Sequence, residues 1–294
     1  MPNENYLLNT LSAIAVLGGL TFLLTSLLIF VNKRLRVKED PRIDAVDGML
    51  PQSNCGACGF PGCHAFAEAL VGHDVLPGQC TVSTNDVHQQ IAHFLGVEVG
   101  VVEKRVARLA CAGGSNVARQ RAAYVGMTSC GAAAVVAGGG KSCSWGCLGF
   151  GDCAVVCQFG AITMNRHALP EVDEALCTAC GDCVTACPKA LFSLHPVSHR
   201  LWVACNNRDH GDRLLDDCQT ACTACGRCAM DAPDLITMTN NLPTIDYKQS
   251  HDTTAPIQRC PTGAIVWMEA DGTVVKGSES RKVIREGKLP LAES

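Results

Sequence analysis

The chain has 294 residues, of which 20 are cysteine and only eight are phenylalanine, three tryptophan and three tyrosine. A chain of this length can bury ordinary hydrophobic cores and does not need disulfides to compensate for small size. The 24 Lys and Arg residues against 28 Asp and Glu give a formal net charge of −4, which excludes a generally basic nucleic-acid-binding protein.

The N-terminal region is apolar, because Leu7–Val31 contains no ionisable side chain. As a helix this segment would be about 37 Å long, enough to cross a hydrocarbon core of about 30 Å. Only Glu4 precedes the segment, whereas four basic residues follow it: Lys33, Arg34, Arg36 and Lys38. The positive-inside rule therefore predicts a transmembrane anchor at 1–32, with the rest of the chain in the cytoplasm. A cleaved signal peptide is the alternative, but it would carry basic residues before a shorter apolar core.

The rest of the chain divides by cysteine spacing. We expect a charged linker at 33–47, four cysteine-bearing segments at 48–100, 101–140, 141–200 and 201–268, and a polar tail at 269–294. The cysteines often stand only two or three residues apart, which makes them poor disulfide partners but lets them converge on one metal centre. Metal binding in a reducing compartment is therefore predicted.

Segment 141–200 carries two runs of four cysteines. Cys177-x2-Cys180-x2-Cys183-x3-Cys187-Pro188 has the spacing of bacterial two-cluster ferredoxins, in which three cysteines bind one [4Fe–4S] cluster and the fourth binds the other. The partner run is Cys143-x3-Cys147-x5-Cys153-x3-Cys157. Crossing over predicts one cluster on Cys143, Cys147, Cys153 and Cys187, and a second on Cys157, Cys177, Cys180 and Cys183. Four-cysteine zinc sites are the alternative.

Segment 201–268 has the same pattern with half of the ligands missing. Cys222, Cys225 and Cys228 keep the spacing, but Ala232 stands where the fourth cysteine would be. The positions before Cys260 that a second trio would occupy are Ser250, Thr253 and Pro256. We therefore predict one cluster here, bound by Cys222, Cys225, Cys228 and Cys260.

An internal repeat relates these two segments. Cys157 and Cys187, like Ala232 and Cys260, are about 30 residues apart, and each begins a short motif that ends in apolar residues. A repeat of this length is typical of duplicated small units that bury a core together. Short strands are expected between the motifs, at Leu201–Ala204 and Ile265–Met268.

Segment 48–100 contains Cys55-x2-Cys58-x4-Cys63-x16-Cys80, with glycines among the first three cysteines and a predicted helix at Ala65–Val71. This spacing alone leaves zinc open, but the neighbouring ferredoxin-like segments favour an iron–sulfur cluster. Cys111, Cys130, Cys205 and Cys218 remain. They could bind a fifth cluster, or they could be buried inert thiols.

These motifs resemble those of the B subunits of Rnf ion-translocating ferredoxin:NAD⁺ oxidoreductase complexes. The resemblance rests on the anchor and on three motifs: Asp40-Pro-Arg-Ile-Asp44, Leu50-Pro-x3-Cys55-Gly-x-Cys58-Gly-x-x-Gly-Cys63, and Cys143-x3-Cys147-Leu-Gly-x-Gly-Asp-Cys153. Longer members have a fuller second ferredoxin module, from which this chain departs at Ala232, Ser250, Thr253 and Pro256.

The resemblance implies an α+β protein with one N-terminal transmembrane helix, a small [4Fe–4S] domain and tandem ferredoxin-like modules, the second of them degenerate. It further implies a cytoplasmic-side subunit at the bacterial inner membrane that exchanges electrons with soluble ferredoxin or flavodoxin. The implied partners are membrane subunits and an NAD(H)-binding flavoprotein, so no catalytic residue or nucleotide site is expected on this chain. The alternative is a subunit of a related membrane complex that reduces a redox-sensing transcription factor.

Overall fold

The computed structural model describes residues 4–35, 40–101, 103–281 and 287–289. The predicted basic residues Arg36 and Lys38, and the parts of the polar tail at 282–286 and 290–294, lie outside the described residues. Helix α1 spans Glu4–Leu35, and its Leu8–Arg34 stretch has a mean hydropathy of 2.5 with none of it buried against the rest of the protein. By length and composition this helix can cross a membrane.

The N-terminal cysteine-bearing domain is helical. It contains α2 (Pro41–Met49), α3 (Cys63–Val71), a 3₁₀ turn (Pro77–Gln79) and α4 (Asn85–Leu95). Helix α2 begins where the Asp40 carboxylate accepts the backbone N–H of Arg42 at 2.9 Å. Its Val46 side chain packs with Phe66, Leu70 and Ile91 in a closed core.

Two sequence-based boundaries change in this region. The helix predicted at Ala65–Val71 is present as α3, but it begins two residues earlier, at Cys63. The segment predicted as a linker at 33–47, however, includes most of α2, whose apolar face packs on α3. The charge of this segment concealed the few apolar positions that bind it to the domain.

The first repeat unit, taken as residues 141–200, combines with the segment before it. The elements of this part are β1 (Arg105–Leu109), α5 (Cys130–Val135), a 3₁₀ turn (Ala137–Gly140), α6 (Asp152–Val155), β2 (Ile162–Met164), β3 (Pro170–Val172), α7 (Asp182–Ala186) and β4 (Phe192–Pro196). Strands β2 and β3 form a hairpin, and β1 pairs antiparallel with β4 through Ala107 opposite Leu194. The predicted connecting segment 101–140 therefore supplies a strand to the first unit.

The second repeat unit, residues 201–268, repeats the order of short helix, hairpin, short helix and strand. Its elements and the strand that follows are β5 (Leu201–Val203), α8 (Leu214–Asp217), α9 (Arg227–Asp231), β6 (Ile236–Thr239), β7 (Leu242–Ile245), α10 (Ala255–Gln258), β8 (Ile265–Met268) and β9 (Val274–Val275). The two predicted strands, β5 and β8, are confirmed and pair antiparallel, with Trp202 opposite Val266.

Aromatic and polar contacts join the two units. The Trp202 indole N–H on β5 donates to the Leu109 carbonyl at the end of β1, at 2.9 Å. His199, between β4 and β5, stacks on Tyr247 with ring centroids 3.7 Å apart, and the Tyr247 hydroxyl donates to the Leu201 carbonyl at 2.7 Å. These contacts hold the cysteine-bearing loops of the two units beside each other.

The N-terminal domain offers a matched test of its core. Phe66 is 1% exposed, whereas Phe94 on α4 is 44% exposed. We expect Phe66→Ala to destabilise this domain by about 3–5 kcal/mol, because it leaves a cavity in a closed core. Phe94→Ala should cost less than about 1 kcal/mol. Pulse proteolysis in increasing denaturant measures both, and equal shifts for the two variants would contradict this packing.

Candidate iron–sulfur centres

The N-terminal site brings together the four cysteines predicted to act there. Cys63 and Cys80 are buried in the domain core, and Cys58 packs against them. Burial raises the pKa of Cys58, and the Cys80 and Cys55 thiols lie close enough to raise it further. Local hydrogen bonds position the ligands: the Asn54 side-chain oxygen accepts the Cys63 N–H at 2.8 Å, and the Ser83 hydroxyl donates to Cys80 Sγ at 3.2 Å.

Two further sites lie in equivalent loops of the repeat units. One cavity of about 320 Å³ is lined by Cys157, Cys177, Cys180 and Cys183. Another of about 360 Å³ is lined by Cys222, Cys225, Cys228 and Cys260. Both sets are those that the sequence predicts.

The backbone of these two loops is curled in the same way. Ala179 and Ala224, each just before the second cysteine of its loop, have φ of 59° and 58°. Gly181 and Gly226, each just after that cysteine, have φ of 91° and 71°. Left-handed residues within a short turn direct successive N–H groups to a common centre, which suits an anionic group. Alanine at positive φ is strained, and such strain is common at functional sites.

The third cavity differs from the predicted set by one cysteine. It encloses about 370 Å³ and is lined by Cys130, Cys147, Cys153 and Cys187. Cys130 thus stands where the sequence predicted Cys143. The cause is a helix cap. The Asp152 carboxylate accepts the N–H groups of Cys130 and Gly131 at the start of α5, at 2.8 and 3.1 Å. Because Asp152 directly precedes Cys153, this cap places Cys130 beside Cys153. Ser129, which caps α5 with its hydroxyl, was the sequence signal that a helix begins at Cys130.

Cys143 lies instead in a fourth cavity, of about 310 Å³, together with Cys111, Cys205 and Cys218. Three of the four cysteines left over by spacing therefore do converge, as the fifth-cluster hypothesis requires, but with Cys143 rather than Cys130 as the fourth. The inert-thiol alternative predicts no such convergence. Spacing could not reveal this exchange, because Cys143 and Cys147 are close in sequence but face adjacent cavities.

Burial raises the pKa of many of these thiols. The pKa rises to about 11 for Cys143, Cys153 and Cys222, and to about 12 for Cys147, Cys183, Cys205 and Cys228. Neighbouring thiols add to the effect, as Cys130 does for Cys153. Cluster ligands are thiolates, so metal must displace these protons and supply positive charge between the sulfurs.

The donor sets fit an iron–sulfur cluster better than a single ion. Among the residues that the structure describes, no three Cys, His, Asp or Glu side chains are arranged to bind one metal ion. Four cysteine quartets instead line four separate cavities, each with all four thiols around one centre. Backbone N–H groups point at several sulfurs, for example that of Ala107 at Cys177 Sγ and that of Leu191 at Cys187 Sγ, both at 3.4 Å. Such N–H···S bonds are characteristic of cluster ligands.

Comparisons with protein families agree with this chemistry. A family model described as an Fe–S cluster matches residues 50–82, which include Cys55, Cys58, Cys63 and Cys80. A 4Fe-4S binding domain model matches residues 169–192, which include Cys177, Cys180, Cys183 and Cys187. The fold and these matches define an iron–sulfur protein of mixed α+β structure.

Curated relatives extend over most of the chain. It is 37% identical to the B subunit of the Na⁺-translocating ferredoxin:NAD⁺ oxidoreductase complex of Acetobacterium woodii, over 86% of this chain and 76% of the relative. It is 38% identical to the B subunit of the proton-translocating complex of Clostridium ljungdahlii (88% and 93%), and 36% to the B subunit of an ion-translocating oxidoreductase complex of Methanosarcina acetivorans (87% and 97%). The chain belongs to this family, the B subunits of Rnf-type ion-translocating oxidoreductase complexes.

The exchange of Cys130 and Cys143 can be tested by iron content. If Cys130 and Cys153 bind the same cluster, Cys130→Ala, Cys153→Ala and the double variant should each lose about four iron atoms per chain. Cys143→Ala should leave that cluster in place, because Cys143 faces a different cavity. Iron and acid-labile sulfide in anaerobically purified protein measure this. The reverse pattern would support the partition predicted from spacing.

Proposed function

We propose that this protein is a membrane-anchored electron-transfer subunit that exchanges electrons with soluble ferredoxin and relays them to or from membrane partner subunits, toward NAD(H). The observation that carries the proposal is the convergence of cysteines, four at a time, around adjacent cavities. Each [4Fe–4S] cluster so bound would supply one-electron redox chemistry. The role of the protein is then to hold the clusters close together and to set their potentials through burial and hydrogen bonds.

The ligands we assign are sixteen cysteines in four sets. They are Cys55, Cys58, Cys63 and Cys80; Cys157, Cys177, Cys180 and Cys183; Cys130, Cys147, Cys153 and Cys187; and Cys222, Cys225, Cys228 and Cys260. With these ligands, residues 141–200, together with Cys130 from the segment before them, act as a two-cluster ferredoxin-like module. Residues 201–268 act as a one-cluster module.

Contacts between sites support a relay. The Thr81 hydroxyl, next to Cys80, donates to the Thr178 carbonyl, next to Cys177, so the N-terminal site adjoins the first module. Within that module, Cys153 is close enough to Cys183 to raise its pKa, although the two residues belong to different sets. Cys225 is exposed, so its set lies nearest to solvent and is where we place the exchange with soluble ferredoxin.

The partners we propose follow the family. The names of the relatives describe complexes that join ferredoxin to NAD⁺, and we assign nicotinamide binding to a separate flavoprotein subunit. The Acetobacterium and Clostridium relatives are named for Na⁺ and for protons, yet each is about equally similar to this chain. The coupling ion is therefore not specified by this type of subunit. The absence of ionisable side chains from Leu8–Val31 of α1 agrees with a purely anchoring helix.

Electron exchange can be tested directly. Mixing the anaerobically purified full-length chain with reduced ferredoxin should bleach its visible iron–sulfur absorption, with more than one electron accepted per chain. The reduced protein should show electron paramagnetic resonance signals of [4Fe–4S] clusters. Protein that contains zinc without acid-labile sulfide would contradict the proposal, and so would clusters that ferredoxin does not reduce.

The anchor can be tested by fractionation. Deletion of residues 1–35 should move the protein from the membrane pellet to the soluble fraction, because this removes the stretch of mean hydropathy 2.5. The iron content of the truncated chain should be unchanged, since all cysteines lie after residue 35. A truncated protein that still sediments with membranes through its own soluble part would contradict α1 as the anchor.

A further inference from the structure

Cys111, Cys143, Cys205 and Cys218 line one cavity, and its geometry and hydrogen bonds indicate a binding site. These cysteines come from four separate places: Cys111 follows β1, Cys143 precedes α6, Cys205 follows β5, and Cys218 follows α8. A Cβ placed at Gly113 would lie 3.2 Å from Cys218 Sγ and 3.6 Å from Cys111 Sγ, so both sulfurs flank the same glycine. Burial and the nearby Cys218 and Cys111 thiols all raise the pKa of Cys143.

Backbone hydrogen bonds assemble this site from distant segments. Ala118 forms an antiparallel bridge with Cys218, and Gln120 forms one with Lys141. The Arg119 N–H donates to the Asp217 carbonyl at 2.8 Å, while the Arg119 carbonyl accepts the Ser142 N–H at 3.0 Å. The extended stretch at 117–120 thus lies between the chain leading to Cys143 and the chain leading to Cys218.

Three sulfurs of this quartet accept hydrogen bonds, and the fourth lies beside a hydroxyl group. Cys111 Sγ accepts the N–H groups of Gly113 and Cys147, and Cys205 Sγ accepts those of Asn207 and Cys222, all at 3.4 Å. The Asn207 side-chain amide donates to Cys143 Sγ at 3.8 Å, and the Thr220 hydroxyl lies 3.5 Å from Cys218 Sγ. Asn207 and Thr220 are themselves buried. Thiolates that bind a cluster need such donors, whereas inert apolar thiols do not.

A buried cation completes the lining. Lys141 is 9% exposed, and its ammonium donates to the carbonyls of Gly113 and Cys147 at 2.6 and 2.5 Å. No carboxylate in the described part of the chain pairs with it. Its positive charge favours the ionised forms of Cys143, Cys147 and Cys218. A buried charge is costly unless something of opposite sign lies nearby, and an anionic cluster on these thiolates would meet that need.

From this geometry we infer that Cys111, Cys143, Cys205 and Cys218 bind a fifth [4Fe–4S] cluster, which links the two ferredoxin-like modules, and that Lys141 is the positioning residue that raises its reduction potential. The inference rests on the proposed electron-transfer function. The link follows from two hydrogen bonds: Cys147, a ligand of the first module, donates to Cys111, and Cys222, a ligand of the second, donates to Cys205. One electron would enter from one module and leave to the other, with no bond formed or broken.

Iron content tests the site itself. Anaerobically purified full-length protein should contain about 20 iron atoms and about as many sulfides per chain, rather than about 16. Cys205→Ala should lose about four of each and keep the resonance signals of the other clusters. A wild-type value of about 16, or a Cys205→Ala variant with unchanged iron, would overturn the inference. Neither result depends on whether ferredoxin reduces the chain, so this inference can fail while the proposed function stands.

Redox titration tests Lys141 and keeps all four cysteines in place. Because a nearby positive charge stabilises a reduced, more anionic cluster, Lys141→Met should lower the midpoint potential of the cluster on Cys111, Cys143, Cys205 and Cys218. It should also lower that of the adjacent cluster through Cys147, while the iron content stays the same. Lys141→Arg, which retains the charge, should restore most of the potential. Lys248→Met removes an exposed lysine that lines none of the cysteine cavities and should shift nothing, because water and salt screen it.

The two measurements separate misfolding from function. If Cys205→Ala loses several clusters because the chain misfolds, the redox titration of the Lys141 variants decides whether the fifth cluster is present. Two clusters that respond to Lys141→Met but not to Lys248→Met support the inference, whereas a response of the cluster with Cys147 alone contradicts it. Identical titrations for Lys141→Met and wild type contradict the role of Lys141.

Discussion

Four thiols must reach each cavity, and most of the soluble structure serves that requirement. The protein has few aromatic residues for its length, and each of its four hydrophobic clusters among the described residues includes buried cysteines. Neighbouring buried thiols oppose one another's ionisation, and on the proposed function positive iron centres among the sulfurs would offset that cost. On the proposed function, folding and cluster binding are thus one process in this chain.

A short connecting stretch decides how the sites are arranged. Residues 101–140 contain little regular structure, but β1 from this segment pairs with β4, and Ala118 and Gln120 bridge to Cys218 and Lys141. The same stretch contributes Cys111 and, at the start of α5, Cys130. By taking the position expected for Cys143, Cys130 leaves Cys143 to face the neighbouring cavity. Cys143 and Cys147, close in sequence, therefore face two neighbouring cavities.

Ionisable side chains are distributed unevenly between helix α1 and the cysteine-bearing part of the chain. Helix α1 carries no ionisable side chain between Leu8 and Val31, whereas the buried Lys141 lies among cysteines of the soluble part. A charge inside a membrane span is typical of ion pathways, while a charge beside a redox centre shifts its potential. On the proposed function, the charge of Lys141 therefore acts on the path of the electrons.

Sequence patterns were enough to predict the apolar helix α1, helix α3, strands β5 and β8, and the two cysteine sets that line equivalent cavities of the repeat units. Loop spacing suffices in those units because three thiols within seven residues can converge locally, and the repeat supplies the fourth. The folded structure was needed to show that α2 belongs to the N-terminal domain, that β1 pairs with β4, and that Cys130 rather than Cys143 joins Cys153. Those features depend on the Asp152 cap and on the bridges at Ala118 and Gln120. These are hydrogen bonds between segments far apart in sequence, and the spacing of residues along the chain carries no information about such partners.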